Sequence, residues 1–445
     1  MSLYAPAQRR SPFGTGNQAG LGITGDPMGL AVTAFVCLDF IYAIAFNHLP
    51  DGLRIQLAAL IMGGQAGLAG VSLIVRPNWW RMRVTFLITI LPFVWLLAHL
   101  ILQQAISFPD MLRYLGPVYM GVLIFGHFDR VPVRLVLLLA MLTILFAVFW
   151  GLTQPAYFHS GETEGSNIRR WAPFHGGAAN PHSSAYMAFS CVLIIHQALH
   201  WDYVRDKAIR LICWGFMALG MFYVFKSYST QVLFAALVYA GLWFLVAIRI
   251  PRTIKVAVTV AGLLLVSGVV VENEVRKASV RVDTDVTVED YGSGRIGTWL
   301  DRLRLIASRD PGTLWLGSGI GSDNFNSSTW VYKTTKAHNT YITMVIEAGI
   351  VGAIAFFAAL IMLTRGLGLY GWALFSPVYI SALVGNGLSL RPASFIIFFL
   401  AVSICIQGMM VRRQRMLAAR QARGAAMEAH GRQRDGRPLP DEHYF

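Results

Sequence analysis

Apolar runs of about 20 residues recur along most of this chain, and a helix of about that length crosses the hydrocarbon core of a bilayer. Inside lipid, backbone N–H and C=O groups must bond within the segment, so such spans are helices. Only 13% of the residues are charged, whereas soluble domains carry about 25% charged residues. The pattern predicts an all-α polytopic membrane protein.

The length criterion predicts about twelve spans. They lie near residues 28–49, 53–75, 84–105, 111–127, 133–152, 183–200, 209–226, 230–248, 255–272, 340–363, 369–388 and 392–411. The chain then divides into an N-terminal segment (1–27), a transmembrane domain (28–411) and a basic tail (412–445). Two loops on the same predicted side, about 153–182 and 272–337, are long enough to hold chemistry outside the membrane.

Lys and Arg are concentrated in alternate short loops and in the tail. This set is Arg76, Arg81, Arg83, Arg130, Arg134, Arg205, Lys207, Arg210, Arg249, Arg252, Lys255, Arg412, Arg413, Arg415, Arg420 and Arg423. Cytoplasmic loops are enriched in Lys and Arg, so these loops and both termini are predicted to lie inside the cell. The long loops then face out, and the net charge of +14 requires no nucleic-acid partner.

Neither cysteines nor acidic pairs predict a metal site. The four cysteines lie in apolar spans without a C-x-x-C pair, which argues against a disulfide framework or a zinc site. Asp283 and Asp285 resemble the metal-binding D-x-D of nucleotide-sugar transferases. Nucleotide sugars are cytoplasmic, however, and this loop is predicted to face out.

The second long loop contains a predicted amphipathic helix and a turn region. Apolar residues recur at helical spacing, namely at Ile296, Trp299, Leu300, Leu303 and Ile306. Such a helix lies against the membrane face or caps a cavity. The glycines that follow, in G-S-G-I-G from Gly317, predict a turn region and no dinucleotide-binding site, because no βαβ unit surrounds them.

His338 is the strongest candidate for catalysis. It stands where the second long loop re-enters the membrane, next to Asn339, and Arg295 and Lys336 share its loop. The reference pKa of histidine is about 6.5. Nearby positive charges favour the neutral imidazole, which is the form that acts as a general base. The alternative is a polar residue that only marks the boundary of the membrane.

Several cations are predicted on the outward side, where positive charge is normally scarce. They are Arg169, Arg170, Lys226, Arg295 and Arg391. Each one alone is most simply an interfacial side chain that reaches towards water. As a group they predict a site for a phosphate or pyrophosphate, because the guanidinium fork matches phosphate oxygens.

Other polar residues lie near the outward side or inside the spans. Asn180 and Pro181 predict a turn that enters the sixth span, which places Asn180 and His182 near the same outer vestibule. Asp39 and Glu347 lie inside apolar spans and are functional candidates by default. On a straight helix Glu347 would point about 180° away from His338, so a structural hydrogen bond is favoured for it.

The spacing around His338 is similar to the signature of the bacterial O-antigen ligases. A His-Asn pair is followed after nine residues by Gly349 and after two more by Gly352. The segments S-G-R-I-G-T-W, L-G-S-G-I-G-S and E-A-G-I-V-G, and the Asn180-Pro181 entry, resemble the wider ligase–polymerase superfamily. The superfamily often has a Ser-Arg pair near 226–231. Here that segment begins with Lys226 and contains no Arg. The positive charge of the missing Arg is then expected from Lys226 or from an Arg elsewhere in the chain.

The resemblance implies a transfer reaction at the periplasmic face of the inner membrane. The donor is a polysaccharide on undecaprenyl pyrophosphate, and the acceptor is a sugar hydroxyl of lipid A–core. It implies no cofactor and no essential metal, and an architecture like that of the lipid-dependent (GT-C-like) membrane glycosyltransferases. In this frame His338 and Arg295 are catalytic, and Arg169, Arg170, Asn180, Lys226, Asn339 and Arg391 bind substrate.

Three other functions stay open at this stage. An O-antigen polymerase shares the donor but uses a second lipid-linked glycan as acceptor. A protein oligosaccharyltransferase of the same superfamily often carries further periplasmic sequence after the last span, where this chain has a basic tail. A transporter or flippase needs ionisable residues along a path at mid-membrane depth, whereas here they gather at the outer face.

The predicted orientation is testable by labelling with cysteines introduced at Ser327 and Ala425. The cysteine at Ser327 is expected to react with a membrane-impermeant maleimide in cells whose outer membrane is permeabilised. The cysteine at Ala425 is expected to react only after lysis, because the basic tail is predicted to lie inside. The reverse labelling pattern would overturn the orientation and the extracytoplasmic chemistry with it.

Overall fold

The computed structural model describes residues 26–45, 51–75, 77, 79–103, 108–153, 181–227, 229–248, 250–251, 253–262, 264, 267–268, 271, 291–323, 337–384 and 392–434. Over these residues the chain forms helices and no strand, which confirms the predicted all-α class. Each of the twelve predicted spans overlaps a helix in this part of the chain, and the ninth, 255–272, overlaps Thr253–Gly262.

Fourteen α-helices can be followed in the described residues. They are α1 Pro27–Ala45, α2 Asp51–Val75, α3 Trp79–Leu102, α4 Phe108–His127, α5 Val133–Thr153, α6 Pro181–His200, α7 Lys207–Lys226, α8 Thr230–Ala247, α9 Thr253–Gly262, α10 Tyr291–Ala307, α11 Pro311–Leu316, α12 Thr340–Arg365, α13 Leu369–Val384 and α14 Pro392–Arg434. Six contain a stretch long and apolar enough to cross a membrane, namely α3, α5, α7, α8, α12 and α14. The remaining spans stay predictions.

Helix packing defines two ends of the bundle. A tight turn at Gly366–Gly368 reverses the chain between α12 and α13, so the start of α12 and the end of α13 share one end. Trp243 near the end of α8 packs on Tyr370 at the start of α13, with ring centroids 5.3 Å apart. The two helices are therefore antiparallel, and α8 begins at the same end as Val384. We call this the His338 end.

The opposite end carries most of the basic residues predicted to be cytoplasmic. Arg130 forms an ion pair with Asp26 at 2.5 Å, and Arg210 pairs with Asp202 at 3.1 Å. The Gln407 amide of α14 donates to the Val131 carbonyl at 3.2 Å, which places α14 at this level too. The charge asymmetry seen in the sequence therefore corresponds to two physical ends of one bundle.

Arg81 departs from its predicted place in a loop. Helix α3 begins at Trp79, before the predicted span, and takes Arg81 into its first turn. The side chain is buried, its Nε donates to the Val122 carbonyl at 3.1 Å, and it also bonds the Ser72 hydroxyl. A charged side chain near the end of a span can be buried when neighbouring helices offer hydrogen-bond acceptors. The assignment of Arg81 to a loop did not take such acceptors into account.

Helix α12 is broken in its middle. Gly349 has φ 64° and ψ −173°, so residues 340–348 and 350–365 form separate helical segments. The break deprives the Ile346 carbonyl of its usual helical partner. It accepts instead from the Ser318 amide at 2.8 Å and from Nη1 of Arg309 at 3.0 Å. Backbone groups at membrane depth must be satisfied internally, and here the loop after α11 satisfies one.

Gly317 and Gly349 allow this close approach of two backbones. Gly317 has φ 83°, and a Cβ on it would lie 2.5 Å from the Glu347 carbonyl oxygen. A Cβ on Gly349 would overlap the Trp315 carbonyl. Both positions therefore combine a left-handed backbone with a lack of space, and glycine meets both requirements.

Replacing Gly349 by alanine is expected to destabilise the protein. Positive φ with ψ near 180° is a region that residues other than glycine avoid, at a cost of about 1–3 kcal/mol, and the overlap with Trp315 adds to this. The melting temperature of the purified protein in detergent, followed by tryptophan fluorescence, measures the effect. Gly215→Ala on α7 is the matched control, because a Cβ there meets nothing within 4 Å. Equal melting temperatures for both variants would contradict the role given to Gly349.

Candidate functional site

His338 lies two residues before the start of α12, at the His338 end of the bundle. Its side chain is half-buried, and its backbone has φ 51°. Non-glycine residues seldom adopt this left-handed conformation, although His does so more often than most. A residue held in such a conformation must be stabilised by its surroundings.

Asn339 caps the helix that follows. Its side-chain Oδ1 accepts from the backbone amides of Tyr341 at 3.0 Å and Ile342 at 3.2 Å. These amides belong to the first turn of α12 and have no helical acceptor, so the cap is favourable by about 1 kcal/mol. The sequence analysis places Asn339 among the predicted substrate-binding residues. The geometry adds a second role, which is to fix where the helix begins after His338.

The residue on the other side of His338 is held by both of its backbone polar groups. The amide of Ala337 donates to Oδ2 of Asp323 at 2.9 Å. Its carbonyl accepts from Nε1 of Trp299, on α10, at 2.7 Å. Two hydrogen bonds from distant parts of the loop thus fix the peptide that leads into His338.

Asp323 joins three segments of the chain. Besides Ala337 it accepts from the hydroxyl of Thr343, in the first turn of α12, at 2.5 Å. It also forms an ion pair with Nε of Arg302, on α10, at 3.2 Å. The side chains of Asp323 and Arg302 are 0% and 3% exposed. We call Asp323, Arg302, Thr343 and Trp299, with the Ala337 backbone, the Asp323 clamp.

The clamp explains how α10 sits in the structure. The predicted helix is confirmed, yet its polar side faces the protein, since Thr298 and Arg302 are buried. Leu300 and Leu303 of the apolar stripe are 40% and 50% exposed. An exposed apolar stripe on a loop helix suits contact with lipid at the membrane interface.

Arg295 also lies on α10 and joins it to the end of α13. Its Nη1 donates to the Val384 carbonyl at 2.6 Å, and its side chain is half-buried. The last carbonyls of a helix lack helical donors, so this bond both caps α13 and fixes the guanidinium at the His338 end. The predicted catalytic Arg and the predicted catalytic His are therefore carried by elements that meet at one end of the bundle.

Lys226 and His182 lie at the same end on other helices. Lys226 is the last residue of α7. Nδ1 of His182, on α6, is 2.7 Å from the hydroxyl of Ser229, which precedes α8. Helix α6 begins at Pro181, as the Asn-Pro entry predicted. Lys226 thus stands at the start of the short α7–α8 connection, and His182 contacts Ser229 at its end.

The other predicted site residues lie outside the described part of the chain. They are Arg169, Arg170, Asn180 and Arg391, together with Lys336 and the Asp283-x-Asp285 segment. Their assignment as donor contacts, or in the last case as a rejected metal motif, stays a prediction.

The two acidic residues inside the spans are both buried. Asp39 on α1 accepts from Nε2 of Gln65 on α2 with both carboxylate oxygens, at 2.8 and 2.9 Å. Glu347 is fully buried beside the break in α12. The expectation that Glu347 points about 180° away from His338 took both residues to lie on one straight helix, whereas His338 precedes α12. The structural hydrogen bond favoured for Glu347 stays a prediction.

The loop between α10 and α11 holds two further charged groups. Asp310 caps α11 by accepting from the Thr313 amide at 2.9 Å, and this bond lowers the pKa of its carboxyl. Burial lowers the pKa of the adjacent Arg309 guanidinium, which donates to the Ile346 carbonyl. Arg309 therefore docks the loop onto α12, whereas Asp310 fixes the start of α11.

Sequence reasoning singled out His338, Asn339, Arg295 and the glycines as candidates but did not anticipate the clamp. Asp323 follows a run of turn glycines, and Gly317, Gly319 and Gly321 all have positive φ, as the turn prediction expected. An acidic residue in such a run looks like an ordinary turn residue.

No protein-family model matches this chain, and no curated protein matches it.

Proposed function

We propose that this protein is a membrane glycosyltransferase of the O-antigen ligase type. It would transfer O-antigen polysaccharide from undecaprenyl pyrophosphate to a sugar hydroxyl of lipid A–core at the periplasmic face of the inner membrane. The observation that carries the proposal is the unit built by His338, Asn339, Gly349 and Gly352. In this unit a histidine with a left-handed backbone precedes a capped half-helix.

Each member of the motif has a distinct physical task in this unit. Asn339 caps the half-helix, and Gly349 breaks α12 where the loop docks on it. Gly352 lies one turn beyond the break, and a Cβ there would come within 2.5 Å of the Ala348 Cβ and 3.5 Å of Leu91 on α3. A motif whose spacing matches a structural unit in this way supports the resemblance on which the proposal rests.

The reaction follows from the proton and charge that must move. The acceptor hydroxyl gives its proton to the His338 imidazole while its oxygen attacks the anomeric carbon of the donor. The bond from that carbon to the pyrophosphate oxygen breaks, and undecaprenyl pyrophosphate leaves with the bonding electrons. Attack opposite the leaving group inverts the anomeric configuration. A retained configuration would require a covalent intermediate.

Positive charge at the same end would stabilise the leaving group. Arg295 is fixed there by its bond to Val384, and Lys226 ends the neighbouring α7. Arg169, Arg170, Asn180 and Arg391 are the further donor contacts that the sequence predicts. Donors aimed at charge that develops in the transition state are among the strongest catalytic devices in enzymes.

Deletion of the gene separates this function from its rivals. For a ligase, lipopolysaccharide gels are expected to lose the polymer ladder and keep an intact lipid A–core band, with lipid-linked polymer accumulating. A band carrying a single repeat would indicate a polymerase. An unchanged ladder with loss of glycosylated protein would indicate an oligosaccharyltransferase. Lipid-linked glycan held on the cytoplasmic side would indicate a flippase.

His338→Ala is expected to reduce transfer by about 10²–10⁴-fold, the usual contribution of general acid–base catalysis. The assay combines purified protein, lipid-linked polymer and lipid A–core, and follows the product on a gel. Donor binding and the melting temperature are expected to stay close to wild type. His99→Ala is the matched control, because His99 is an exposed residue in the last turn of α3. Full transfer by His338→Ala would remove the catalytic role.

Arg295→Ala is expected to lower transfer by about 10²–10³-fold, as for the loss of one transition-state donor. Arg295→Lys keeps the charge but not the bidentate fork, so most of the loss is expected to remain. Arg304→Ala on the same helix is the control, since the Arg304 side chain is 76% exposed. If the activity of Arg295→Ala falls only as much as the amount of folded protein falls, then Arg295 has a structural role alone, through its bond to the Val384 carbonyl.

A further inference from the structure

The Asp323 clamp bonds the backbone on both sides of Ala337, the residue before His338. The Ala337 amide and carbonyl are both bonded, to Asp323 and to Trp299. Thr343, which bonds the same Asp323 oxygen, lies five residues after His338 in the sequence. The chain on both sides of His338 is thus tied to a single carboxylate.

The chemistry of the clamp is costly in its setting. Taking a carboxylate and a guanidinium out of water costs several kcal/mol per ion, and well-packed apolar residues often stabilise a fold as well as a buried ion pair does. A buried pair does, however, have directional bonds that apolar packing lacks. Asp323 uses them on Arg302, Ala337 and Thr343, and all three bonds converge next to the one His with a left-handed backbone in the described residues.

We infer that the Asp323 clamp positions the His338 imidazole for proton transfer from the acceptor hydroxyl. Arg302 orients the Asp323 carboxylate, which holds Ala337 and Thr343 at a fixed separation. Trp299 bonds the Ala337 carbonyl, which belongs to the next peptide group. These bonds hold His338 in its left-handed conformation, which a non-glycine residue keeps only when its surroundings stabilise it. The inference rests on the proposed function, and it makes all four clamp side chains positioning residues rather than catalytic ones.

Thr343→Val tests the clamp with the smallest change of shape, because it removes only the hydroxyl that bonds Asp323. Thr364→Val is a closely matched control. Both threonines are on α12, both are fully buried, and both hydroxyls are hydrogen-bonded, but that of Thr364 bonds the Leu360 carbonyl and Tyr379 at the opposite end. A loss of stability common to buried hydroxyls therefore appears in both variants.

Thr343→Val is expected to lower kcat by about 10–10²-fold, the effect of a small misplacement of a catalytic group, with KM for both substrates near wild type. Thr343→Ser is expected to restore most of the activity because it restores the hydroxyl. Adding Thr343→Val to His338→Ala is expected to cause little further loss, since both changes act on the same proton transfer. Losses that multiply in the double variant would overturn the inference.

A second readout does not depend on transfer activity. Diethyl pyrocarbonate modifies accessible imidazoles, and mass spectrometry gives the rate at His338 itself. This rate is expected to rise several-fold in Thr343→Val and to stay at the wild-type value in Thr364→Val. An unchanged rate in Thr343→Val would refute the clamp even if the protein proved to catalyse another reaction. A raised rate without any ligase activity in the wild type would refute the proposed function alone.

Trp299→Phe serves if Thr343→Val does not fold. It keeps an aromatic ring at Trp299 and removes the Nε1–H that donates to Ala337. The same fall in kcat, the same lack of additivity with His338→Ala and the same faster modification are expected. Wild-type values for all three in a folded Trp299→Phe protein would overturn the inference.

Discussion

The break in α12 is the constraint on which the His338 end depends. A bilayer supplies no water to a backbone carbonyl, so a carbonyl freed from a helix at membrane depth must find a partner inside the protein. Gly349 frees the Ile346 carbonyl, and Ser318 and Arg309 bond it. The residues on either side of α11 are therefore docked on α12, where they satisfy this carbonyl. This docking restrains the first half of α12, which His338 precedes.

The first half of α12, residues 340–348, is held at both of its ends. One contact is the docking at the Gly349 break, and the other is the Asp323 clamp. The first ties the loop to the middle of α12, and the second ties it to the start of α12 around His338. Between them lies a half-helix of about two and a half turns, bonded at both ends to the loop. Such a short segment has little freedom to tilt. The imidazole at its start is consequently held by the scaffold rather than by a loop alone.

The local parts of this arrangement were predictable from sequence, and the long-range parts were not. Apolar runs located the helices because length and hydropathy are local properties. Gly317 and Gly349 are recognisable because few other residues accept positive φ. Asp323 bonds partners 21, 14 and 20 residues away, and no periodic pattern records such pairings. Arg81 misled for a related reason, since it was assigned to a loop before its buried acceptors were known.

The outward apolar stripe of α10 has a consequence for how substrates meet. If Leu300 and Leu303 lie in the membrane–water interface, α10 is an interfacial helix. Its depth then sets the distance of Arg295 and His338 from the hydrocarbon core. In the reaction proposed above, the donor and the acceptor both carry lipid anchors, so they would search for each other in two dimensions at that height. Their effective concentration would then be far above that of soluble sugars. A site in this plane would select its substrates partly by their anchors, before any sugar is recognised.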